Sequence, residues 1–250
     1  MVDKASLLTD LRAMGLKETD TALLHTSMKQ IGPVEGGADA VLDALTEFFS
    51  PGLLCFPALN WTTAQEKPPL FDVLNTPSIV GLLPELFRKR PGVVRSWNPT
   101  HSMCARGAEA AAFTAEDHLS GTPCGPDSSW HKLLDRDAWI LMVGCDLTSC
   151  TFLHGVEEWC EVPGRIGEPV HFQVILPDGQ SRAILSAAHS ASPSVNYWKI
   201  EAGLEKAGLL RYTMFGNART MVLRARDLYA YTAGCLSLCP GLFDGEDSRA

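Results

Sequence analysis

The sequence predicts an α/β fold, with a central sheet that is mostly parallel or mixed and flanked by helices, and with an antiparallel part towards the C-terminus. Three observations predict it. Apolar runs of strand length alternate with segments whose apolar residues recur at helical spacing, which favours a parallel sheet. Glycine and polar residues follow the strand-like runs, where a chain turns. In the second half, Pro177-Asp178-Gly179 separates two strand-like runs, as in a β-hairpin.

The first quarter of the chain has the order helix, strand, helix, strand. Residues 3–17 have apolar side chains at helical spacing, and residues 21–25 form a short apolar run. Helical spacing returns over residues 39–49 and is ended by Pro51-Gly52, after which residues 53–59 resemble a buried strand. This order predicts one layered α/β unit.

The middle of the chain contains fewer regular elements. Residues 61–75 are rich in proline and polar side chains, which predicts a loop. The spacing predicts helices over residues 78–90 and 109–118, and the apolar run over 138–143 predicts a buried strand.

The last third of the chain has an antiparallel pattern. Residues 170–174 and 182–185 predict the two strands of the hairpin. The remaining elements predicted are helices over 196–208 and 227–238 and a strand over 220–223.

Length and composition are those of an ordinary globular protein. The chain has 250 residues, of which 46% are hydrophobic and 20% charged, so it can bury a substantial core as one large domain or two small ones. No apolar run approaches the ~20 residues of a membrane span, and the N-terminus has no secretory pattern. The eight cysteines are scattered through apolar stretches, which predicts reduced thiols and a cytoplasmic location.

The net charge of −8 bears on the partners that the chain can take. No basic run exceeds Arg88-Lys89-Arg90, which disfavours nucleic acid because phosphate binding needs a concentrated positive face. An acidic protein attracts cations, so the charge weakly favours a cationic substrate, and acidity that serves only solubility is the simpler alternative.

The most informative segment follows the strand predicted at 138–143. A short helical segment there carries His154 and Glu157, which share one helix face because they are three residues apart. An imidazole next to a carboxylate, where a strand meets a helix, is typical of a general base. A histidine that is satisfied by local hydrogen bonds is the alternative.

Two other loops have polar groups that suit ligands. Residues 25–37 combine a strand end, hydroxyl groups, glycines and a helix N-terminus, which is the arrangement of an anion site but lacks a known phosphate-loop pattern. His101 lies in a Pro-bearing loop beside hydroxyl groups, where a purely structural turn is the alternative.

The cysteines near His154 raise two further possibilities. Cys145, Cys150, His154 and Cys160 are zinc-ligand types, yet they lack the tight Cys-x2-Cys pairs of structural zinc sites, so we expect no metal. Cys150 is a possible nucleophile because it lies close to His154 in sequence, but buried cysteines are commonly inert.

Six short motifs follow one another in a distinctive order. They are a His25-Thr26-Ser27-Met28 strand end, Val34-x-Gly36-Gly37, Thr76-Pro77-Ser78 with Gly81 and Phe87-Arg88, Arg95-Ser96 with Asn98-Pro99-Thr100-His101-Ser102, Cys124-Gly125-Pro126-Asp127-Ser128, and Thr151-Phe152-Leu153-His154-x-x-Glu157. In this order they resemble the aminoglycoside 3-N-acetyltransferase family, the antibiotic acetyltransferases that lack the GNAT fold. The resemblance spans roughly residues 20–160 and returns over 208–228.

The resemblance implies an enzyme that transfers acetyl from acetyl-CoA, its co-substrate, to the 3-N amine of the 2-deoxystreptamine ring of an aminoglycoside and so confers antibiotic resistance. It implies direct transfer, with neither a metal nor a covalent acyl-enzyme. His154 matches the family's general base and Glu157 its carboxylate partner, although Asp146 is another acid that could orient the imidazole. His25 and His101 match histidines of the same cleft that face the substrate or the thioester.

The resemblance also implies binding residues. Those expected to contact CoA are Thr26, Ser27, Met28, Val34, Gly36, Gly37, Thr76, Ser78, Arg95 and Ser102. A cationic substrate calls for acids in the cleft, and those expected are Asp146, Glu158, Glu161 and Glu201.

The implied organisation is a single acetyltransferase domain over 1–250, with a CoA-binding and catalytic part at 1–160 and a substrate-side part at 161–250. The expected partners are a cationic small-molecule amine, with no nucleic acid and no membrane, and the expected assembly is a monomer or homodimer. Asn98-Pro99 stands where many members have His-Pro, and the C-terminal half matches loosely. A different amine substrate, a non-catalytic binding protein of the same fold, or a zinc hydrolase using Cys145, Cys150 and His154 are therefore alternatives.

Overall fold

The computed structural model describes residues 1–190, 194–246 and 249, and its strands form two sheets. The strands are β1 (Thr21–Thr26), β2 (Leu53–Pro57), β3 (Leu70–Asp72), β4 (Val94–Arg95), β5 (Met103–Gly107), β6 (Trp139–Val143), β7 (Val170–Ile175), β8 (Ser181–Ser186), β9 (Leu210–Phe215) and β10 (Ala218–Arg224). The larger sheet has seven strands in the order β4-β5-β2-β1-β6-β10-β9, and the smaller has the order β3-β7-β8.

The centre of the large sheet is parallel and its two edges are antiparallel. Strand β1 pairs in parallel with β2 on one side and with β6 on the other. Strands β5 and β10 then add antiparallel to β2 and β6. The mixed α/β sheet with an antiparallel C-terminal part, as predicted, is confirmed.

Helices cover both faces of this sheet. They are α1 (Lys4–Ala13), α2 (Met28–Ile31), α3 (Gly37–Phe48), α4 (Leu82–Phe87), α5 (Ala110–Thr114), α6 (Ser129–Asp135), α7 (Phe152–Trp159), α8 (Glu201–Lys206) and α9 (Ala225–Leu238), with 3-10 turns at Trp61–Gln65, Asp117–Leu119, Leu147–Ser149 and Ser194–Ile200. Successive residues of β1 point to opposite cores: Leu23 belongs to the core that contains the α6 and α7 side chains, and Leu24 to the one that contains those of α1 and α3. The central strands are therefore apolar on both faces, which is why they form uninterrupted apolar runs in the sequence.

Several elements differ from the sequence-based expectation. The predicted loop at 61–75 contains a 3-10 turn and strand β3, which pairs in parallel with β7. The helix predicted over 78–90 begins only at Leu82, because Gly81 has φ 122°, outside the helical range. The helix predicted over 196–208 is a 3-10 turn followed by the shorter α8.

Three strands of the large sheet were not predicted. Strands β4 and β5 flank the Pro-bearing loop of His101, and β9 lies between the predicted helix and strand of the last third. Strand β9 lies at the sheet edge and is buried only at its two ends, Leu210 and Phe215, so it lacks the apolar run that marks a central strand.

Among the described residues, none of the helices is both long enough and apolar enough to span a membrane. All eight cysteines are free thiols.

Candidate active site

A cavity of about 670 Å³ opens at the carboxyl ends of strands β1 and β6. His25 and Thr26 end β1 and line it, and Cys145 lines it two residues after β6. Helix α7 contributes His154 to the lining, and the 3-10 turn Trp61–Gln65 contributes Trp61, Ala64 and Gln65. The carboxyl ends of parallel strands are where α/β sheets bind ligands.

Four histidines line this cavity: His25, His101, His154 and His189. The ring of His189 lies 4.8 Å from that of His154 and 5.1 Å from that of His101, and the His101 and His154 rings are 6.3 Å apart. Burial, and then the charge of His154, lower the pKa of His25 and of His101 to about 3. These two imidazoles are therefore neutral at working pH.

The loop that contains His101 is held by Asn98. The side-chain oxygen of Asn98 accepts a hydrogen bond from the His101 N–H at 2.8 Å, and the His101 carbonyl accepts one from the Trp130 indole at 2.9 Å. The Asn98 side chain, which departs from the family's common pattern, thus fixes the backbone that presents the His101 ring.

His154 and Glu157 lie side by side on α7, but Tyr197 connects them. Nδ1 of His154 is 3.9 Å from Oε2 of Glu157, which is beyond hydrogen-bond distance. The Tyr197 hydroxyl lies 2.7 Å from that Nδ1 and donates to Oε2 at 2.5 Å. Because a tyrosine has a single hydroxyl proton, its oxygen accepts from the Nδ1–H of His154, and the lone pair of the neutral imidazole is then on Nε2.

Glu157 is completely buried and anchored from its other side by Arg165. The guanidinium donates to Oε1 of Glu157 at 2.6 Å and pairs with Asp244 near the C-terminus at 2.6 Å. Burial by itself raises the pKa of Glu157, but His154, Tyr197 and Arg165 together outweigh burial and lower it. The carboxylate is therefore ionised and held in one orientation.

The residues predicted to hold CoA near β1 surround the start of α2 and α3. Thr26 lines the cavity, and the Ser27 N–H donates to the Val143 carbonyl at 2.8 Å. Gly36 and Gly37 begin α3 with φ of 80° and 64°, values that favour glycine. Met28 and Val34 pack against the core beneath α1 and α3.

The predicted CoA residues of the next segment form hydrogen bonds within the protein. Arg95 is buried, with Nε donating to Ser102 Oγ at 2.9 Å and Nη1 to the Thr76 carbonyl at 2.5 Å. Nη2 donates to the Ala58 carbonyl at 2.7 Å. The Ser78 N–H donates to Glu85 at 2.7 Å. None of these four predicted residues lines the cavity within the described part of the chain, so their contact with CoA stays a prediction.

The predicted substrate acids occupy separate places. Asp146 and Glu201 line a second cavity of about 620 Å³, where Asp146 pairs with Arg249 at 3.1 Å and Glu201 accepts from Tyr212 at 2.7 Å. Cys145 and Ser149 line both cavities, so the two are adjacent.

The other two predicted acids lie outside both cavities as the structure describes them. Glu161 is exposed just beyond the end of α7. Glu158 is nearly buried and accepts hydrogen bonds from the Thr122 hydroxyl and the Cys124 N–H. Burial raises the pKa of Glu158.

The zinc-type residues considered from the sequence do not converge. In the chain as described, one group of three metal-ligand types lies close together, and it contains none of Cys145, Cys150, His154 and Cys160. Cys150 is buried, and burial raises the pKa of its thiol to about 12.

Sequence reasoning missed three residues of this site: Arg165, His189 and Tyr197. Each comes from the C-terminal part, where no spacing or motif marks it. Arg165 follows a glycine and His189 follows a strand, and neither position marks a functional residue in the sequence. Long-range contacts place them at the site: Arg165 and Tyr197 bond to Glu157, and the His189 ring lies 4.8 Å from that of His154.

Comparisons with known proteins identify the family. The family model for aminoglycoside 3-N-acetyltransferases matches residues 23–237. The aminoglycoside N(3)-acetyltransferase VII of Streptomyces paromomycinus is 34% identical over 197 residues, covering 72% of this chain and 68% of that protein.

Solved structures agree. The AAC-IIIb binary complex with CoASH is similar with a TM-score of 0.82 and 27% identity, covering 95% of this chain and 97% of the other. A mutant of aminoglycoside acetyltransferase AAC(3)-IVa in complex with a gentamicin has the same fold, with a TM-score of 0.82 at 24% identity. The match covers 99% of this chain and 93% of the other. The chain therefore belongs to the aminoglycoside 3-N-acetyltransferase family and is an acyltransferase of that family.

Proposed function

We propose that this chain transfers the acetyl group of acetyl-CoA directly to the 3-N amine of a 2-deoxystreptamine aminoglycoside, with His154 as general base. The observation that carries the proposal is the bond from His154 Nδ1 to Tyr197, whose own proton goes to the ionised Glu157. This bond leaves the imidazole lone pair on Nε2, the nitrogen that takes the proton of the attacking amine.

The chemistry explains why a base is needed. A protonated amine cannot attack a thioester, and the nitrogen must lose a proton as the C–N bond forms. His154 accepts that proton, and as the C–S bond breaks the imidazolium returns a proton to the CoA sulfur, so CoA leaves as the thiol. General-base catalysis of this kind contributes typically 10²–10⁴-fold.

Glu157 stabilises the imidazolium that forms. Its negative charge lies 3.9 Å from Nδ1 and is connected to it through the Tyr197 hydroxyl. Arg165 keeps the carboxylate ionised and fixed, so no reorganisation is needed when the charge develops on His154. The neutral His25 and His101 then line the cavity without opposing that charge.

The ligands of relatives support the substrate classes. AAC-IIIb binds CoASH and the AAC(3)-IVa mutant binds a gentamicin, which is a cationic aminoglycoside. We assign the cavity that contains His154 to the reacting amine and the thioester, and the adjacent cavity with Asp146 and Glu201 to further amines of the antibiotic. The reaction needs no metal ion, and we place it in the cytoplasm, where acetyl-CoA and reduced thiols such as these eight are found.

The experiment is a CoA-thiol release assay with a panel of gentamicin-, tobramycin-, neomycin- and apramycin-type substrates, with NMR of the product to locate the acetyl group. We expect turnover with at least one antibiotic and acetylation at 3-N. His154→Ala is expected to lower kcat by roughly 10²–10⁴ while acetyl-CoA still binds, because only the base is lost.

The matched control is His171→Ala, which removes an exposed imidazole on β7 and is expected to leave kcat unchanged. Turnover with other amines but with none of the antibiotics would contradict the proposed aminoglycoside substrate but would still support acetyl transfer. Binding of acetyl-CoA without transfer to any amine would favour the non-catalytic alternative. A His154→Ala variant with unchanged kcat would refute the role of His154 as general base.

A further inference from the structure

A second group of polar side chains is buried beside the cavity, and the proposed transfer does not use it. It consists of Cys124, Glu158 and His189, whose thiol sulfur, carboxylate oxygen and ring nitrogen lie within 4.8 Å of one another. Cys124 precedes α6, Glu158 is on α7, and His189 follows β8. The fold therefore brings these three groups together from segments that are distant in sequence.

The imidazole of His189 points to a missing ligand. Its side chain is 5% exposed, and neither ring nitrogen has a hydrogen-bond partner among the described residues. Nε2 lies 3.6 Å from Oε2 of Glu158, too far for a normal hydrogen bond. Buried imidazoles are almost always hydrogen-bonded or bound to a metal, since burial removes their water.

The carboxylate of Glu158 lacks a positive partner. Its two described hydrogen bonds come from the neutral Thr122 hydroxyl and the Cys124 N–H. In the part of the chain that the structure describes, His189 is the one basic side chain within 4.0 Å. The adjacent Glu157 differs, because Arg165 neutralises it at 2.6 Å. A bound cation would supply the charge that Glu158 lacks.

The donor types select the cation. Thiolate, imidazole and carboxylate are the ligands of Zn²⁺, with bonds of about 2.0–2.3 Å that place two donors roughly 3–4 Å apart. The three donor atoms already lie within 4.8 Å of one another, so each needs to move only slightly to reach the metal. Mg²⁺ and Ca²⁺ prefer oxygen donors and do not suit a thiolate.

We propose that Cys124, Glu158 and His189 bind one Zn²⁺ ion, with a water molecule as the fourth ligand. On binding, the Cys124 thiol releases its proton to solvent and His189 binds through a neutral nitrogen. The metal ties α7 to the segments around residues 124 and 189, and so holds the His189 ring against His154. It takes no part in the acetyl transfer.

The test uses metal binding and needs no turnover, so its failure is separate from failure of the proposed function. The full chain is stripped with a chelator, dialysed, and titrated with Zn²⁺ or with Co²⁺ as a spectroscopic probe. We expect one equivalent of metal by elemental analysis. With Co²⁺ we expect the absorption of a tetrahedral ion and a thiolate-to-cobalt charge-transfer band.

Variants assign the ligands. Cys124→Ser is expected to abolish the charge-transfer band, and His189→Gln to weaken Zn²⁺ binding by at least ~10-fold, since each removes one of three protein ligands. Cys150→Ser and His131→Ala, which alter a buried thiol and an imidazole outside the group, are the matched controls and should bind like the unmodified chain.

Two results would overturn the proposal. The first is a folded, unmodified chain that binds no Zn²⁺ and shows no thiolate band with Co²⁺, a result that needs no variant to fold. The second is a Cys124→Ser variant that keeps the band, because another thiol would then bind the metal. An unmodified chain that binds Co²⁺ without the band would overturn the proposal equally, because the cavity histidines and no thiolate would then hold the metal.

Discussion

Replacing Tyr197 by phenylalanine tests the connection between His154 and Glu157 most directly. The change removes one oxygen atom and keeps the ring, which packs against Phe243 at 4.9 Å between centroids. The change removes the described hydrogen bonds of 2.7 Å to His154 and 2.5 Å to Glu157. At 3.9 Å from Nδ1, the carboxylate cannot replace the hydroxyl without moving.

The size of the effect follows from the positive charge that the proposed transfer places on His154 in the transition state. A hydrogen bond to a charged group contributes about 1.5–3 kcal/mol, which corresponds to about a 10- to 150-fold loss in kcat at 1.36 kcal/mol per tenfold. Glu157 keeps Arg165, so the ion pair that orients the carboxylate survives. The KM values for acetyl-CoA and antibiotic are expected to change less than about threefold, since the hydroxyl stabilises the transition state and not the bound substrates.

The assay is initial-rate CoA-thiol release with each substrate varied, together with thermal unfolding of both proteins. Tyr229→Phe makes the same chemical change on α9 and is the control. A Tyr197→Phe variant that folds normally and keeps full kcat would refute the role of the hydroxyl. A rise in KM with unchanged kcat would assign Tyr197 to substrate binding instead.

Two further predictions concern the thiols and the stability of the α4 region. Burial raises the pKa of Cys145 and of Cys150 to about 12, so neither is a thiolate at neutral pH. Cys145→Ser and Cys150→Ser should therefore each keep kcat within about twofold of the unmodified enzyme. An inactive variant that still folds would indicate a covalent acyl-enzyme. Burial by itself raises the pKa of Glu85, but hydrogen bonds from Arg88, Lys89 and the Ser78 N–H outweigh it and lower the pKa to about 2, from 4.5. Because the pKa of Glu85 is depressed in the folded state, its stabilisation of the fold is present above pH 4.5 and is lost as the pH falls towards 2. Urea unfolding should show that Glu85→Gln is less stable by about 2 kcal/mol at neutral pH, after discounting for partial exposure. This difference should shrink near pH ~3, and a difference that does not change with pH would contradict its ion-pair origin.

The sequence predicted the parts of the fold and site that depend on local pattern. Strands β1, β2 and β6 are apolar on both faces, so each forms a run that stands out from its neighbours. The spacing of His154 and Glu157 predicted a shared helix face, because an i, i+3 pair needs no tertiary information.

The parts that were missed depend on long-range packing. Tyr197 reaches α7 from 40 residues away, and its bonds to His154 and Glu157 have no local trace. Arg95 shows the opposite difficulty: its neighbours in the sequence are polar, yet it ends strand β4 and its guanidinium is buried against main-chain carbonyls. A sequence shows that an arginine is charged but not which groups surround it.

The short turn Leu147–Ser149 between the two cavities has a consequence for how the enzyme can diversify. Cys145 and Ser149 face both cavities, and Asp146 caps the turn between them. A replacement in this turn reshapes the space beside His154 and the space beside Glu201 together. If the second cavity binds the antibiotic, as proposed, a change of antibiotic preference that arises in this turn also changes the geometry around His154. Substitutions that adapt the enzyme to a new antibiotic are then expected first among the residues of the second cavity that do not line the first.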